Sequence, residues 1–129
     1  MRHMLCRFLD MSLLVAALAA LAAPLRAQDP VRVGPDIYKC TFENERVRVC
    51  EVTFKPGAKI ATHSHPNHLV YSLTGGKLLV TGPDGKATES VSKAGDVTWS
   101  PATTHSGSNP GPTEVKVLVV ELKEPAAKK

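Results

Sequence analysis

Two histidines separated by a single residue are the most chemically informative feature of the sequence. His63 and His65 follow a Pro-Gly turn signal, and on an extended strand two side chains at this spacing point to the same face. Two imidazoles on one face are well placed to chelate a metal ion. His105 lies forty residues further on and can be brought opposite the pair in a closed sheet. A lone histidine is more often a surface or core residue, so the in-phase pair is what favours a metal site.

The composition limits the kind of protein that such a site can belong to. The chain has 129 residues, of which 43% are hydrophobic and 22% charged, with three cysteines and a net charge of +4. This length fits one domain and is too short for a two-domain dinucleotide-binding dehydrogenase. The ordinary apolar content and the scarcity of cysteine exclude collagen-like, disordered and disulfide-scaffold proteins.

Residues 1–27 have the pattern of a secretory signal peptide. Arg2 and Arg7 give a positive start, residues 13–23 are uniformly apolar, and a proline break leads to Ala27 as the cleavage site. The pattern predicts a periplasmic or secreted protein. The apolar run of 11 residues is shorter than the ~20 that span a bilayer, so no stable membrane insertion is expected after cleavage. An uncleaved anchor, a buried helix and a misassigned start are the alternatives.

Removal of residues 1–27 changes the charge balance of the protein. Three arginines and one aspartate are lost, so the net charge falls from +4 to +2, and no long run of lysine or arginine remains. Nucleic-acid binding therefore has little electrostatic support, because it usually needs a basic stripe. Four of the five histidines remain, and all of them lie between His63 and His105.

Short β-strands are the elements predicted to position these histidines. Seven segments are rich in β-branched and aromatic residues, and clusters of glycine, proline, asparagine and aspartate separate them. This spacing predicts a single all-β domain over residues 28–129, a sandwich or barrel with its core at about 37–122 and no amphipathic helix. The predicted strands are 37–42, 46–54, 68–74, 77–81, 87–92, 96–100 and 114–122.

Two motifs in the chain resemble those of the cupin family, which are small β-barrels of the double-sheet jelly-roll kind. The first cupin motif, G(x)5HxH(x)3–4E(x)6G, is matched from Gly57 to Gly75. The second, G(x)5PxG(x)2H(x)3N, is matched from Gly95 to Asn109, so the resemblance covers about half of the mature chain. It implies a double-stranded β-helix fold with metal ligands at three matching positions, His63, His65 and His105.

The chain departs from the first motif at its acidic position. The glutamate is absent, and His68 takes its place after a one-residue gap, which makes His68 a fourth candidate ligand; in the second motif Thr103 replaces the glycine. If the strand that begins at His68 alternates, Val70 and Ser72 share its face and line the pocket below a metal. Trp99 is interpreted as a core residue or, alternatively, as part of that pocket lining.

The set of candidate ligands indicates both a cofactor and a function. Three or four neutral imidazoles suit Fe, Zn, Cu or Ni, whereas carboxylate sites suit Mg, Ca or Mn, so a divalent transition metal is expected. Cupins with three histidines and no carboxylate are similar to thiol dioxygenases, which implies a small metal-dependent oxidoreductase or isomerase acting on a small molecule. Four coordinated histidines would instead indicate a non-catalytic metal- or ligand-binding module. A structural or interaction barrel that holds no metal tightly is the third alternative.

Cys40 and Cys50 are the cysteines that remain after export. If a hairpin turns at residues 44–46, the two lie directly opposite each other and can form a disulfide, whereas a register shift would place them diagonally, ~7–8 Å apart. Two small apolar residues in a sheet, or a catalytic cysteine, are the alternatives.

The small size of the mature chain favours association. A chain of this length has a limited core, and an open strand edge such as that of residues 31–42 is often covered by a partner. A homodimer is therefore a further expectation.

Overall fold

A computed structural model of the chain describes residues 28–124. The predicted signal peptide lies outside the described residues, as does the C-terminal end from 125 to 129, so the signal remains a prediction. In the described range no helix is both long enough and apolar enough to cross a membrane.

Residues 28–124 form one short helix and nine strands. The helix α1 is Pro30–Val33, and the strands are β1 Tyr38–Glu43, β2 Val47–Phe54, β3 Lys59–His65, β4 His68–Ser72, β5 Gly76–Thr81, β6 Ala87–Ser92, β7 Val97–Ser100, β8 Thr103–Ser108 and β9 Val115–Leu122. They make a five-stranded sheet in the order β1-β2-β9-β4-β7 and a four-stranded sheet in the order β3-β8-β5-β6. All neighbouring strands are antiparallel.

The predicted all-β architecture is confirmed, and each of the seven predicted strands is present to within two residues at either end. β3 and β8, which carry three of the four histidines, were not predicted from the sequence. Both are rich in Ser, Thr and His and have few large apolar residues, so their composition gives little strand signal. They are strands because β8 pairs with β3 on one side and β5 on the other, and such context outweighs local propensity.

Every second residue of β9 is buried and contributes to the core between the two sheets. Val115, Val117 and Val119 are buried and point inward, while the residues between them are half-exposed on the outer face. In β2 the inward face carries Cys50, Val52 and Phe54 in the same way. The buried core consists of Tyr38, Cys50, Val52, Phe54, Ile60, Val115, Val117 and Val119.

Tight turns bring the histidine-bearing strands into position. Gly57 precedes β3 with a φ of 78° and Gly95 precedes β7 with a φ of 92°, a left-handed conformation that glycine adopts without strain. Asn109, buried after β8, donates to the carbonyls of Phe54 and Thr113 at 2.9 and 2.7 Å. These bonds tie the end of β8 to the loop that leads into β9.

The two ends of the sandwich differ. At one end α1 packs against β1 and β3 and covers the gap between the edge strands. Asp29 caps this helix by accepting a hydrogen bond from the Val31 amide at 2.9 Å, and Pro30 occupies its first turn. At the other end β6 and β7 are the free edges of their sheets, and both strands are largely exposed.

Cys40 and Cys50 lie directly opposite each other in the β1–β2 hairpin, and a disulfide bond joins them. Of the two registers considered from the sequence, the structure therefore has the directly paired one. A β-bulge follows between Cys40 and Phe42, which shifts the register of the rest of β1.

Candidate metal centre

Two neighbouring strands bring three histidines together. His63 in β3 is paired with His105 in β8, and His65 lies two residues further along the same face of β3. The ring centroid of His63 is 4.8 Å from those of both His65 and His105. A nitrogen from each ring lies within 4.8 Å of the other two, so the structure brings together the three residues predicted as ligands.

Hydrogen bonds fix the direction in which these rings present their nitrogens. His63 Nδ1 donates to the carbonyl of Ala61 at 2.8 Å, across a β-bulge in β3. A carbonyl only accepts, so the proton is on Nδ1 and the neutral ring keeps a lone pair on Nε2. That Nε2 is buried and has no hydrogen-bond partner among the described residues. A buried acceptor without a hydrogen-bond partner lowers the stability of the folded protein by about 1–3 kcal/mol. A metal ion bound to this lone pair would remove that cost.

The donor set fits a transition metal. Two nitrogens bound to one ion at about 2.1 Å lie at most about 4.2 Å apart, so small ring rotations within this cluster bring all three into range. All three donors are imidazoles, which suit Fe, Zn, Cu or Ni better than the hard ions. The residues that could hold such an ion are therefore His63, His65 and His105.

His68 lies beside this cluster. It is the first residue of β4, its side chain is buried, and its ring centroid is 4.8 Å from that of His65. Its Nδ1 donates to the carbonyl of Pro66 at 2.8 Å, which leaves Nε2 with the lone pair, as in His63. His68 therefore lies next to the cluster of His63, His65 and His105 and is not one of its three members.

Glu121, a buried carboxylate that was not predicted from the sequence, forms a hydrogen bond with His65. Glu121 in β9 is 3% exposed and accepts from His65 Nδ1 at 2.7 Å. Glu121 lies outside both motifs, so a comparison of motifs alone does not reveal it. A carboxylate on the outer nitrogen of a metal-binding histidine sets its tautomer and raises its basicity. The inner nitrogen of His65, Nε2, accepts from the Tyr38 hydroxyl at 3.3 Å.

Arg48 and Asp29 continue the hydrogen-bond chain from Glu121 away from the histidines. Arg48 donates to Glu121 from Nε at 2.7 Å and from Nη2 at 2.6 Å, and its Nη1 donates to Asp29 at 2.7 Å. The side chain of Arg48 is only 17% exposed. Burial alone would raise the pKa of Glu121, but hydrogen bonds from His65 and Arg48 outweigh it and lower that pKa.

The strand pattern contains the signal that would have revealed Glu121. The alternation of Val115, Val117 and Val119 continues to position 121, so a carboxylate falls on the buried face of β9. A buried carboxylate needs a partner, and β2 places Arg48 directly opposite Glu121.

Burial favours the neutral form of His63, His68 and His105. It lowers the pKa values of His63 and His68, and together with the neighbouring histidines it lowers the pKa of His105 from 6.5 to about 4. These rings therefore keep free lone pairs below pH 6.5, where an exposed histidine is protonated. Because a protonated imidazole cannot bind a metal, His63, His68 and His105 should still be able to bind one somewhat below pH 6.5.

A cavity of about 400 Å³ opens from the histidines toward the free edges of the two sheets. Its deep end is apolar and its mouth is rich in hydroxyl groups from β6 and β7. None of the described residues that line it is lysine or arginine, and Asp96 supplies its carboxylate. Asp96 also accepts a hydrogen bond from the Lys93 amide at 2.7 Å, within the turn that leads into β7.

The predicted pocket-lining residues divide into two groups. Val70 and Ser72 face the cavity together with His68, as alternation along β4 predicts. Trp99 lies elsewhere, because its neighbours Thr98 and Ser100 take the inward positions of β7. Its side chain is 53% exposed on the outer face of the sheet, so Trp99 is neither a core residue nor part of this lining.

Comparison with known proteins adds to this geometry. The family model described as "Cupin domain" matches residues 50–121. No curated protein matches the chain.

Several solved structures are similar to the chain. A cupin domain from Bordetella pertussis Tohama I is 32% identical over 68% of this chain and 93% of its own length, with a TM-score of 0.64. A conserved protein with a double-stranded β-helix domain from Klebsiella pneumoniae subsp. pneumoniae MGH 78578 is 26% identical over 67% of this chain and 70% of its own, with a TM-score of 0.55. A cupin-like protein from Thermotoga maritima MSB8 is 25% identical over 65% of each chain, with a TM-score of 0.51.

Proposed function

The chain belongs to the cupin family, and we propose that it is a small metal-dependent enzyme of the dioxygenase or isomerase type, acting on a small molecule. His63, His65 and His105 hold a divalent transition metal, and the cavity beside them admits the substrate. The observation that carries this proposal is the buried Nε2 of His63 in the histidine cluster, which has no hydrogen-bond partner within residues 28–124.

Each part of the site has a role in this proposal. A metal bound there supplies Lewis acidity or oxygen activation. Glu121 and Arg48 keep His65 in the tautomer that presents Nε2 to the cluster. The apolar wall around Val70 excludes water from the deep end, while hydroxyls such as Ser72 orient the substrate. Three neutral imidazoles leave the charge of the ion uncompensated, which favours an anionic group of the substrate at the metal.

Two observations support an enzyme over a simple metal-binding module. The cavity is open, with hydroxyl groups at its mouth, so a small molecule can reach the histidines from solvent. The buried carboxylate of Glu121 behind His65 tunes a ligand in the way that metal enzymes use. Fold alone does not decide the question, because one fold hosts many functions.

Metal analysis tests the proposal. The protein purified from the periplasm of an expressing bacterium should contain about one transition-metal ion per chain, and the His63→Ala variant should lose it. Ser64→Ala is the matched control, because Ser64 lies between two ligands but bonds outward to Thr104 at 2.6 Å, and this variant should keep the metal. A wild-type protein that neither contains metal nor takes it up on titration would sink the proposal.

A non-catalytic metal-binding module is the second candidate function. The observation that favours it is the ring of His68 at 4.8 Å from that of His65, because a fourth imidazole in the coordination sphere would close the open position. Oxygen consumption and product formation by the metal-loaded protein, screened against small thiols and small acids, separate the two. Turnover supports the enzyme, and tight metal binding without turnover in any of these assays favours the module.

We also propose that the protein works in the periplasm or outside the cell. The signal-like pattern of residues 1–27 and the disulfide between Cys40 and Cys50 support this location, since disulfides persist in oxidising compartments. Cell fractionation should find a shortened protein outside the cytoplasm, and a full-length cytoplasmic protein would contradict the proposal.

A further inference from the structure

The two free-edge strands, β6 and β7, turn hydroxyl groups toward the cavity. On β7 the alternate, outward residues, Val97 and Trp99, are apolar and more than half exposed. A strand that packs on a core shows the reverse order, with apolar side chains inward and polar ones outward. Core packing therefore does not account for these hydroxyls. We call them the hydroxyl wall: Thr88, Ser90 and Ser92 on β6, and Thr98 and Ser100 on β7.

The inner lining of the cavity, on the central strands, is apolar. It is formed by side chains of β2, β5 and β9: Val52, Phe54, Leu78, Val80, Val115, Val117 and Val119. A ligand that fills the cavity therefore contacts apolar side chains on its inner side and hydroxyl groups on the side nearer solvent. The cavity volume of about 400 Å³ lies at the lower end of the range for ligand pockets, about 300–1,000 Å³, so the ligand is a small molecule.

Strand pairing gives the distance of the hydroxyl wall from the histidines. Ser100 is paired with His68, and Thr98 is paired with Val70, which lies further from the histidines along β4. Two residues along a strand span about 6.7 Å, so Thr98 lies one such step beyond Ser100. An extended six-carbon chain spans about 6 Å. A six-carbon molecule with one end at the histidines therefore brings its other end to the level of Thr98.

The charges of the lining distinguish between kinds of substrate. No lysine or arginine lines the cavity within residues 28–124, and a carboxylate, Asp96, lies beyond Thr98. The main chain of Asp96 is held there because its carbonyl accepts from the Ser72 amide at 2.9 Å. A second anionic group on the substrate would thus have no cation to pair with, and taking an unpaired charge out of water is unfavourable. An alcohol group has no such penalty, because serine and threonine hydroxyls can both donate to it and accept from it.

We propose that the substrate is a small molecule with a single anionic group at the histidines and an uncharged, hydroxyl-bearing tail along the hydroxyl wall. This inference rests on the function proposed above, because the metal held by the histidines is what binds the anionic group. Thr98 is the residue that reads the tail one step away from the metal. Diacids and phosphorylated acids are excluded as substrates, since their second anionic group would lie where the lining offers no cation.

Three six-carbon acids that differ only at the far end test this inference: hexanoate, 6-hydroxyhexanoate and adipate. Each is titrated into the periplasmically produced protein loaded with Co²⁺, whose visible absorption changes when a ligand enters the coordination shell. The affinity for 6-hydroxyhexanoate should exceed that for hexanoate by about 3-fold, as expected for one hydrogen bond to the hydroxyl wall. Adipate should bind about 10-fold more weakly than 6-hydroxyhexanoate, because its second carboxylate is left without a cation.

A pair of neighbouring variants locates the selective position. Thr98→Lys places a cation at the level of the second carboxylate, so it should bind adipate about 5-fold more tightly than the wild type does. Val97→Lys is the matched control, because Val97 is adjacent on the same strand but points to the outer face, where it is 65% exposed. At physiological salt its added charge is largely screened from the cavity, and the affinity for adipate should stay as in the wild type. Hexanoate binding and the metal content should show that both variants fold.

Three results would overturn the inference. The first is a wild-type protein that binds adipate or hexanoate as tightly as 6-hydroxyhexanoate. The second is a gain in adipate affinity that is the same in Thr98→Lys and Val97→Lys. The third is a protein that binds none of the acids. The metal content of the same samples separates this failure from that of the proposed function, because a protein with a full complement of metal and no such preference contradicts the substrate class alone, whereas a protein that takes up no metal contradicts both.

Discussion

His65 joins the histidine cluster to a chain of charged groups, and this chain is the part of the site that motif matching missed. The motifs identified His63, His65 and His105 because their spacing puts them on paired strands. They could not identify Glu121, which lies on β9, far from the motifs in sequence. At the scale of single residues, the candidate ligands could be predicted from the spacing of the histidines, whereas the carboxylate that orients His65 could be found only from strand pairing.

The role of Glu121 can be tested by a conservative substitution. Glu121→Gln should lower the affinity for Zn²⁺ by about 10–100-fold, because the neutral amide is a poorer acceptor for His65 Nδ1 than the carboxylate. The measurement is competition with a chelator of known affinity. Glu89→Gln is the matched control, since Glu89 is exposed and its Lys77 partner lies on the other sheet. Equal affinities of both variants and the wild type would show that Glu121 does not act on the metal.

The low pKa of His105 predicts how the stability of the metal-free protein depends on pH. Below pH 6.5 the unfolded chain binds a proton at His105 that the folded chain does not bind until about pH 4. The free energy of unfolding should therefore fall as the pH drops from 6.5 to about 4. The lowered pKa of Glu121 adds a further loss below pH 4.5.

Urea unfolding of metal-free protein at a series of pH values measures this dependence. The His105→Asn variant isolates the histidine, because it should retain the acidic loss due to carboxylates and lose part of the slope between pH 6.5 and 4. Superimposable slopes for the two proteins would contradict the assignment to His105.

At the scale of elements, the fold was predictable wherever apolar alternation is strong. β2 and β9 were predicted almost to the residue because valine recurs at every second position, at Val47 and Val49 in β2 and at Val115, Val117 and Val119 in β9. β3 and β8 were not, because a strand that lines a polar site needs histidine, serine and threonine where a core strand has valine. The elements with the weakest sequence signal are thus the ones that carry the site.

The β1–β2 hairpin gives a prediction at this scale. Mass spectrometry of unreduced protein should show Cys40 and Cys50 linked, with a mass lower than that of the reduced form by two hydrogen atoms. A bridge across a loop of this kind, with a sequence separation of 10, stabilises the folded state by about 2–3 kcal/mol, and the double alanine variant should lose that amount. Two free thiols in protein isolated from the periplasm would contradict the bridge.

At the scale of the whole molecule, the sandwich has a covered end and an open one. The helix α1 covers the gap between β1 and β3, and the cavity opens between β6 and β7. Asp29, which caps α1, also binds Arg48, so the segment that covers the closed end is linked to the group that orients His65. The stability of the whole domain and the integrity of the metal site are therefore expected to change together.

Metal binding should stabilise the whole molecule in a measurable way. A metal that binds only the folded chain adds about 2.7 kcal/mol at a free concentration of 100 times its Kd. For a domain of this size each kcal/mol raises the Tm by about 4–8 °C, so saturating Zn²⁺ should raise it by more than about 10 °C. His63→Ala should show no such rise in differential scanning calorimetry, and an equal rise in both proteins would place the metal elsewhere.

X-ray absorption spectroscopy of the metal-loaded protein tests the central claim most directly, because it reports the atoms bound to the metal. We expect the coordination shell of the metal to contain three imidazole nitrogens, from His63, His65 and His105. In the His105→Ala variant it should lose one of them. A shell of oxygen donors without imidazole scattering, or one that is unchanged in His105→Ala, would contradict it.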